Sequence, residues 1–286
     1  MKNKNKVVFY HKGCPDGFGA AWSAWKLFGK ESFYVPISHY SNIPIPDCVT
    51  DNADLYFVDF CPKKDQILEL KKNGYRVIVL DHHISAKDDV VYADECIFDM
   101  NRSGAGISWD YFNKDKERPL MIDCIEDRDL WKWEVQDSKY ILFSLDSIEK
   151  TFKEWDNFAQ AIEINAEAIN PFGGFEYHKG VGKRISDFQQ SLINRIIRNV
   201  EFLIIDGIKV PSVNSPVLMS YLGDELVKQY NIGAIYYKTK KGFRFSLRSN
   251  PKVYDCSKIA QKFGGGGHVA ASGFAVEEFC FEVYNE

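Results

Sequence analysis

Histidine and aspartate recur at short spacings in the first half of the chain: His11 and Asp16 in HKGCPDG, Asp59 in VDF, then Asp81-His82-His83, and Asp127 in EDRDLW. Carboxylate oxygens mixed with imidazole nitrogens suit Mn²⁺, Mg²⁺ or Fe²⁺ better than a thiolate-seeking ion, and the set is large enough to hold two metals. One Asp or His at a strand end is commonly a cap or a hydrogen-bonded loop residue. Four such groups at the strand ends of one sheet point instead to a site. Near the other end of the chain, Gly264 to Gly267 removes every Cβ from four successive residues and His268 follows. Backbone N–H groups there can approach a phosphate or nucleotide closely. Phe243 to Arg248 alternates, which puts Arg244, Ser246 and Arg248 on one face of a strand.

The elements that must position these groups are legible as alternating β-rich and helical runs, the pattern of a parallel α/β sheet. Strands are predicted at Val7 to Tyr10, Leu55 to Val58 and Val77 to Leu80, each ending in the polar residues named above. Ligands of open α/β sheets sit at the carboxyl ends of strands near a topological switch point, so three sets of polar groups converge on one edge. Crossover helices are predicted over Gly17 to Phe28, Lys64 to Lys72 and Ser103 to Phe112. The last opens on small residues, an N-terminus able to accept a phosphate, with Ser103 among its contacts. Thr151 to Val200 reads as helical, broken at Pro171-Phe172-Gly173-Gly174, with Ile185 to Ile197 as an amphipathic connector. Beyond it, strands at Phe202 to Ile205, Ile208 to Val213, Ala234 to Thr239, Phe243 to Arg248 and near Phe274, with helices at Val217 to Gln229 and Ser257 to Lys262, describe a small α+β module with a mixed sheet.

The 286 residues correspond to about two domains. A net charge of −4 lacks the basic excess that binders of long duplex nucleic acid use against phosphates. No apolar run approaches the roughly 18 residues of a membrane span, and the Met-Lys-Asn-Lys-Asn-Lys start has no hydrophobic core behind it, so a cytoplasmic chain without a membrane partner is expected. The 7 cysteines never fall in a C-x-x-C spacing. Neither a disulfide framework nor a structural zinc finger is indicated, and most are expected to pack as small hydrophobes.

HKGCPDG at 11–17, VDF at 58–60, DHH at 81–83, SGAG at 103–106, EDRDLW at 126–131 and GGGGHVAASGF at 264–274 occur together in this order. In this the chain resembles the DHH phosphoesterase superfamily with its DHH-associated C-terminal domain. The resemblance spans nearly the whole sequence and implies an α/β parallel-sheet DHH domain (1–175), a helical linker (176–200) and a smaller α+β substrate-binding domain with a mixed sheet (201–286). It implies that His11 ligates a first metal, Asp16 and His82 a second, and that Asp59 bridges them. Asp127 would complete the second site, with Asp129 as its rival; Asp123 and Asp129 otherwise read as helix caps. Asp81 would orient the motif and His83 would face the scissile phosphate. Gly265, Gly266, Gly267, His268 and Arg248 would hold substrate, with Arg244 a contact or a solvated edge charge.

The implied activity is metal-dependent phosphodiester hydrolysis of short single-stranded oligonucleotides or dinucleotides to nucleoside 5′-monophosphates, with two ions, Mn²⁺ first and Mg²⁺ or Fe²⁺ as alternatives. Rival readings are hydrolysis of pAp or of a cyclic or linear dinucleotide, and a nucleotide sensor that has lost catalysis. The last arises because most relatives carry D-x-D in the first motif, where this chain has Cys14 before Asp16. Either the thiolate joins the first metal or that site is weaker. Nothing in the sequence indicates the oligomeric state.

Overall fold

A computed structural model describes residues 4–38, 43–47, 49–163 and 173–284. Cys48 and the expected helix break at Pro171 and Phe172 lie outside them. The chain forms two compact units, Met1–Ser186 and Asp187–Glu286.

In the first unit, β1 (Lys4–His11) is followed by α1 (Pro15–Phe28), β2 (Phe33–Ile37), β3 (Val49–Val58), α2 (Lys64–Lys72), β4 (Arg76–Asp81) and β5 (Glu95–Phe98). Helices α3 (Gly104–Phe112), α4 (Leu120–Asp129), α5 (Ser138–Asp146), α6 (Phe152–Glu163) and the long α7 (Phe175–Ile196) come next. The five strands are all parallel in the order β2-β1-β3-β4-β5. The central strands are buried on both faces, which is why they read as unbroken apolar runs. Val7, Phe9, Leu55, Phe57, Val77 and Val79 meet α2 on one side. Val8, Tyr56, Val58, Ile78 and Leu80 meet α1 and α3 on the other. The opposite side of α1, with Phe18 and Trp22, packs into a second apolar layer made with α3 to α6.

The strand order reverses between β1 and β3, so the crevice at their carboxyl ends is the switch point of the sheet. Strand β2 escapes the sequence reading because FYVPI carries Pro36. On an edge strand the missing N–H does no harm.

The second unit, entered within α7, contains β6 (Glu201–Ile205), β7 (Ile208–Asn214), α8 (Met219–Tyr230), β8 (Ile232–Thr239), β9 (Gly242–Ser249), α9 (Cys256–Lys262), β10 (Gly266–Gly267), β11 (Ala271–Val276) and β12 (Glu282–Val283). Its seven strands run β10-β11-β9-β8-β7-β6-β12. Only β7 and β8, joined through α8, pair in parallel; the other pairs are antiparallel. An α/β parallel-sheet unit plus an α+β unit with a mixed sheet, joined by a long helix, is the expected fold class.

Among the described residues no helix is long and apolar enough to cross a membrane. The six described cysteines are free. Only Cys124 and Cys256 are buried, while Cys96 and Cys280 are exposed, so the expectation that most would pack as small hydrophobes fails.

Candidate metal centre

Three strand ends and two helix ends deliver the polar groups. Strand β1 ends on His11. The chain then turns through Gly13, whose φ of +95° suits glycine, so that Cys14 caps α1 and Asp16 lies in its first turn. Gly17 is required where it stands, because a Cβ there would collide with the His11 carbonyl oxygen. Strand β3 ends one residue before Asp59, which adopts φ +54° while its N–H donates to the Leu80 carbonyl at 2.9 Å. Strand β4 ends on Asp81, followed by His82 and His83, and α4 ends on Asp129.

These side chains form two adjoining donor groups that share Asp59. On one side, His11 Nδ1 lies 3.5 Å from Asp59 Oδ2, and the Cys14 sulfur lies 3.4 Å from His11 Nδ1 and 3.3 Å from Asp59 Oδ2. On the other, His82 Nε2 is 3.2 Å from Asp59 Oδ1, 3.5 Å from Asp16 Oδ2 and 3.6 Å from Asp129 Oδ2. Within each of the sets His11-Cys14-Asp59, Asp16-His82-Asp129 and Asp59-Asp81-His82-His83, one donor atom per residue lies within 4.8 Å of the others. Oxygen and imidazole donors at such spacing fit divalent first-row cations or Mg²⁺.

Asp81 organises the β4 end. Its Oδ1 accepts from the His82 N–H at 2.7 Å and the His83 N–H at 3.2 Å, and lies 2.7 Å from His83 Nδ1. This contact fixes the ring of His83, as carboxylates commonly do for working imidazoles.

The electrostatics of the cluster favour a cation. Burial together with the charges of Asp59 and Asp129 pushes Asp16 well above the usual carboxylate range. Burial alone would raise Asp59 too, but hydrogen bonds with His11 and His82 and the nearby His83 hold it well below that range. Burial opposes charge on His82, yet Asp59, Asp16 and Asp129 outweigh it and raise the imidazole pKa. The Cys14 thiol is pushed up by burial and by the Asp59 and Asp16 carboxylates. Four carboxylates meet three imidazoles here, a surplus of negative charge in a buried place that suits a bound cation.

The N-terminus of α3, expected to accept a phosphate, is taken up by the chain's own carboxylates. Asp16 accepts from the Gly104 N–H at 2.7 Å and the Ala105 N–H at 2.8 Å, and Glu126 from the Ser103 N–H at 2.9 Å. Ser103 itself is fully buried, and its hydroxyl accepts from the Gly106 N–H at 3.1 Å. It caps the helix rather than facing a substrate. Glycines at 104 and 106 make this packing possible, because a Cβ would strike Asp59 at the first and Glu126 at the second.

The α4 register also needs correction. Asp127 is buried and turned away from the centre: it accepts from the Glu134 N–H at 2.7 Å, the Val135 N–H at 3.3 Å and the Ser138 hydroxyl at 2.5 Å. Asp129, read as a cap or rival, is the residue that reaches His82. Two helical residues lie about 200° apart around the axis, so only one of the pair can face the site.

In the second unit the second half of the glycine tract is a short edge strand. Gly266 and Gly267 pair antiparallel with Gly273 and Ser272. A Cβ at Gly265 would strike the Gly273 carbonyl oxygen, and Gly267 has φ +139°. His268 closes the turn to β11, its N–H donating to the Ala271 carbonyl at 2.7 Å. On β9, Arg248 donates to the Ser246 hydroxyl at 3.0 Å, the Leu247 carbonyl at 2.9 Å and the Ser220 hydroxyl at 2.8 Å. Gly223 on α8 leaves room for its stem. Arg244 is exposed. Opposite Arg248, Ser246 and Arg244 in the register stand Ala271, Gly273 and Ala275, a lane of small residues.

No protein-family profile matches the chain. It is 31% identical over 96% of its length, and 68% of the relative's, to the uncharacterized protein R106 of Acanthamoeba polyphaga mimivirus. It is 25% identical over 57% of its length to oligoribonuclease NrnB of Bacillus subtilis, of which it spans 40%. Among solved structures it is similar to the DHH domain of a member of a ribosomal-protein family, with TM-score 0.56, 13% identity, and 99% of this chain and 83% of that one covered. It is also similar to a pGpG-specific phosphodiesterase, PggH, of Vibrio cholerae, with TM-score 0.52, 15% identity and 96% and 93% covered. With the DHH triad at the end of β4, Asp59 shared between two donor groups and this fold, the chain is similar in architecture to DHH-domain proteins.

Proposed function

We propose that the chain hydrolyses phosphodiester bonds of short single-stranded oligonucleotides, down to dinucleotides, and releases nucleoside 5′-monophosphates. The observation that carries this reading is Asp59, one carboxylate set between His11 and His82 so that each oxygen faces a different donor group. Two divalent cations held there, Mn²⁺ among them, would supply an activated water and charge for the leaving oxygen. The rest is the work of the chain. His11 and Asp59 hold the first position, and Asp16, His82 and Asp129 the second, with the α3 backbone fixing Asp16. His83, oriented by Asp81, donates to a phosphoryl oxygen of the substrate.

In the second unit, Arg248, His268 and the backbone of Gly265 to Gly267 hold a nucleotide over the small-residue lane, with Arg244 at its exposed end. The net charge of −4 supports short substrates over long duplexes. The similarity to an oligoribonuclease and to a pGpG-specific phosphodiesterase supports the same substrate class. A cytoplasmic setting agrees with the free cysteines.

The test is a panel of end-labelled dinucleotides, longer oligomers, pAp and cyclic dinucleotides, assayed with Mn²⁺ and after chelator treatment. Turnover of dinucleotides and short oligomers, lost in chelator and restored by Mn²⁺, is expected. Exclusive turnover of pAp or of a cyclic dinucleotide would replace the substrate assignment. Full activity in excess chelator would overturn the metal mechanism.

A further inference from the structure

The two donor groups are not chemically alike. Asp16, His82 and Asp129 offer oxygen and nitrogen only, whereas His11, Cys14 and Asp59 offer nitrogen, sulfur and oxygen. We propose that the centre is asymmetric, the first position being a mixed N/S/O site that selects a thiophilic divalent ion such as Zn²⁺, Fe²⁺ or Co²⁺, while the oxygen-rich second position takes Mn²⁺ or Mg²⁺. This deepens the phosphodiesterase reading and rests on it.

Geometry carries the assignment. The sulfur, His11 Nδ1 and Asp59 Oδ2 form a triangle with edges of 3.3, 3.4 and 3.5 Å. Around one tetrahedral ion with metal–sulfur near 2.3 Å and metal–nitrogen or –oxygen near 2.0–2.2 Å, ligands stand about 3.3–3.7 Å apart, so the donors need move apart at sulfur by only a few tenths of an ångström to share an ion. The donors come from both sides of the switch point, His11 from the end of β1, Cys14 from the start of α1 and Asp59 from the end of β3. The thiol donates to Asp59 Oδ2. On binding, the metal–sulfur bond replaces the S–H bond and the proton leaves to solvent. Thiolate ligation raises preference for zinc, iron or cobalt over magnesium and manganese, because hard ions favour oxygen.

Cys14 also accepts from the Gly17 N–H at 3.2 Å as the cap of α1, so the test must separate capping from ligation. Serine is a good cap and a poor soft-metal donor. Chelator-stripped full-length protein is titrated with Co²⁺, following sulfur-to-cobalt charge-transfer absorption in the near ultraviolet alongside bound cobalt per chain. Wild type is expected to develop that absorption, saturating at one cobalt per chain while a second binds without it. C14S should keep the wild-type melting temperature, lose the absorption and bind the first cobalt on the order of tenfold or more weakly. C14D should bind without the absorption and shift preference from Co²⁺ toward Mn²⁺.

Two cobalt ions bound to wild type with no sulfur absorption, or equal affinities in all three proteins, would overturn the thiolate site and leave the phosphodiesterase reading standing. Failure of wild type to bind any cobalt would bring down both. A loss of stability in C14S with metal binding unchanged would reduce Cys14 to a cap.

Discussion

The two units use polar side chains in opposite ways. In the first, Asp16, Asp59, Asp81 and His82 are 1–6% exposed, and each is held by backbone donors or by other charged groups. In the second, Arg244, Gly266 and Gly267 lie open to solvent, and the groups assigned to substrate are mostly backbone and surface. The difference teaches where rigidity is needed. A metal centre works only if its donors are placed before the ion arrives, and burial with mutual hydrogen bonding enforces that placement. Recognition of varied short chains needs accessible groups over a smooth floor. Arg248 stands between the two modes, half-buried, its stem against Gly223 of α8 and its guanidinium tied by three hydrogen bonds.

The contrast breaks most visibly at Asp59. Asp59→Asn removes the shared charge while asparagine still tolerates positive φ, so folding should persist and metal-dependent turnover should fall by on the order of 10³-fold or more, with both ions lost in a direct metal count. Retention of both ions would show that the two donor groups do not depend on one carboxylate.

A smaller effect separates the two aspartates of α4. Asp129→Asn should lower turnover and second-site metal affinity by about 10–100-fold with little change in melting temperature. Asp127→Asn should do the reverse, costing about 1–3 kcal/mol of stability because its buried acceptors are spoiled. Thermal melts and kinetics on the pair decide it, and the opposite pattern would restore Asp127 to the centre.

The mildest change is expected in the second unit. Arg248→Ala should raise KM for dinucleotides by about tenfold, the size of one or two hydrogen bonds to a charged group, and leave kcat on a small phosphodiester nearly unchanged. Equal losses on both substrates would erase the division between chemistry and recognition.

Much of the first unit was legible because parallel strands buried on both faces announce themselves as apolar runs, and the residue after each run is where ligands belong. His11, Asp59 and the DHH triad follow from that rule alone. Asp129 does not. Its selection over Asp127 depends on the Glu134 and Val135 amides and on Ser138, which capture Asp127 from a neighbouring segment, and no local pattern reports such a tertiary contact. The small-residue N-terminus of α3 misled in a related way. Its N–H groups are aimed as expected, but they are taken by the carboxyl oxygens of Asp16 and Glu126, brought in from 88 and 23 residues away in sequence. The glycine tract concealed a strand because strand prediction relies on side chains that it lacks.

Asp59 occupies a left-handed backbone conformation, one that for most residues other than glycine costs of order 1 kcal/mol and for aspartate somewhat less. Its carboxylate works the other way: against its burial, His11, His82 and His83 hold it well below the usual range, so near neutral pH the charge supports the fold. In a lineage released from selection for activity, replacement of Asp59 by glycine would relax the turn but strip the imidazoles of their shared acid, so the centre of the site is where drift would be slowest.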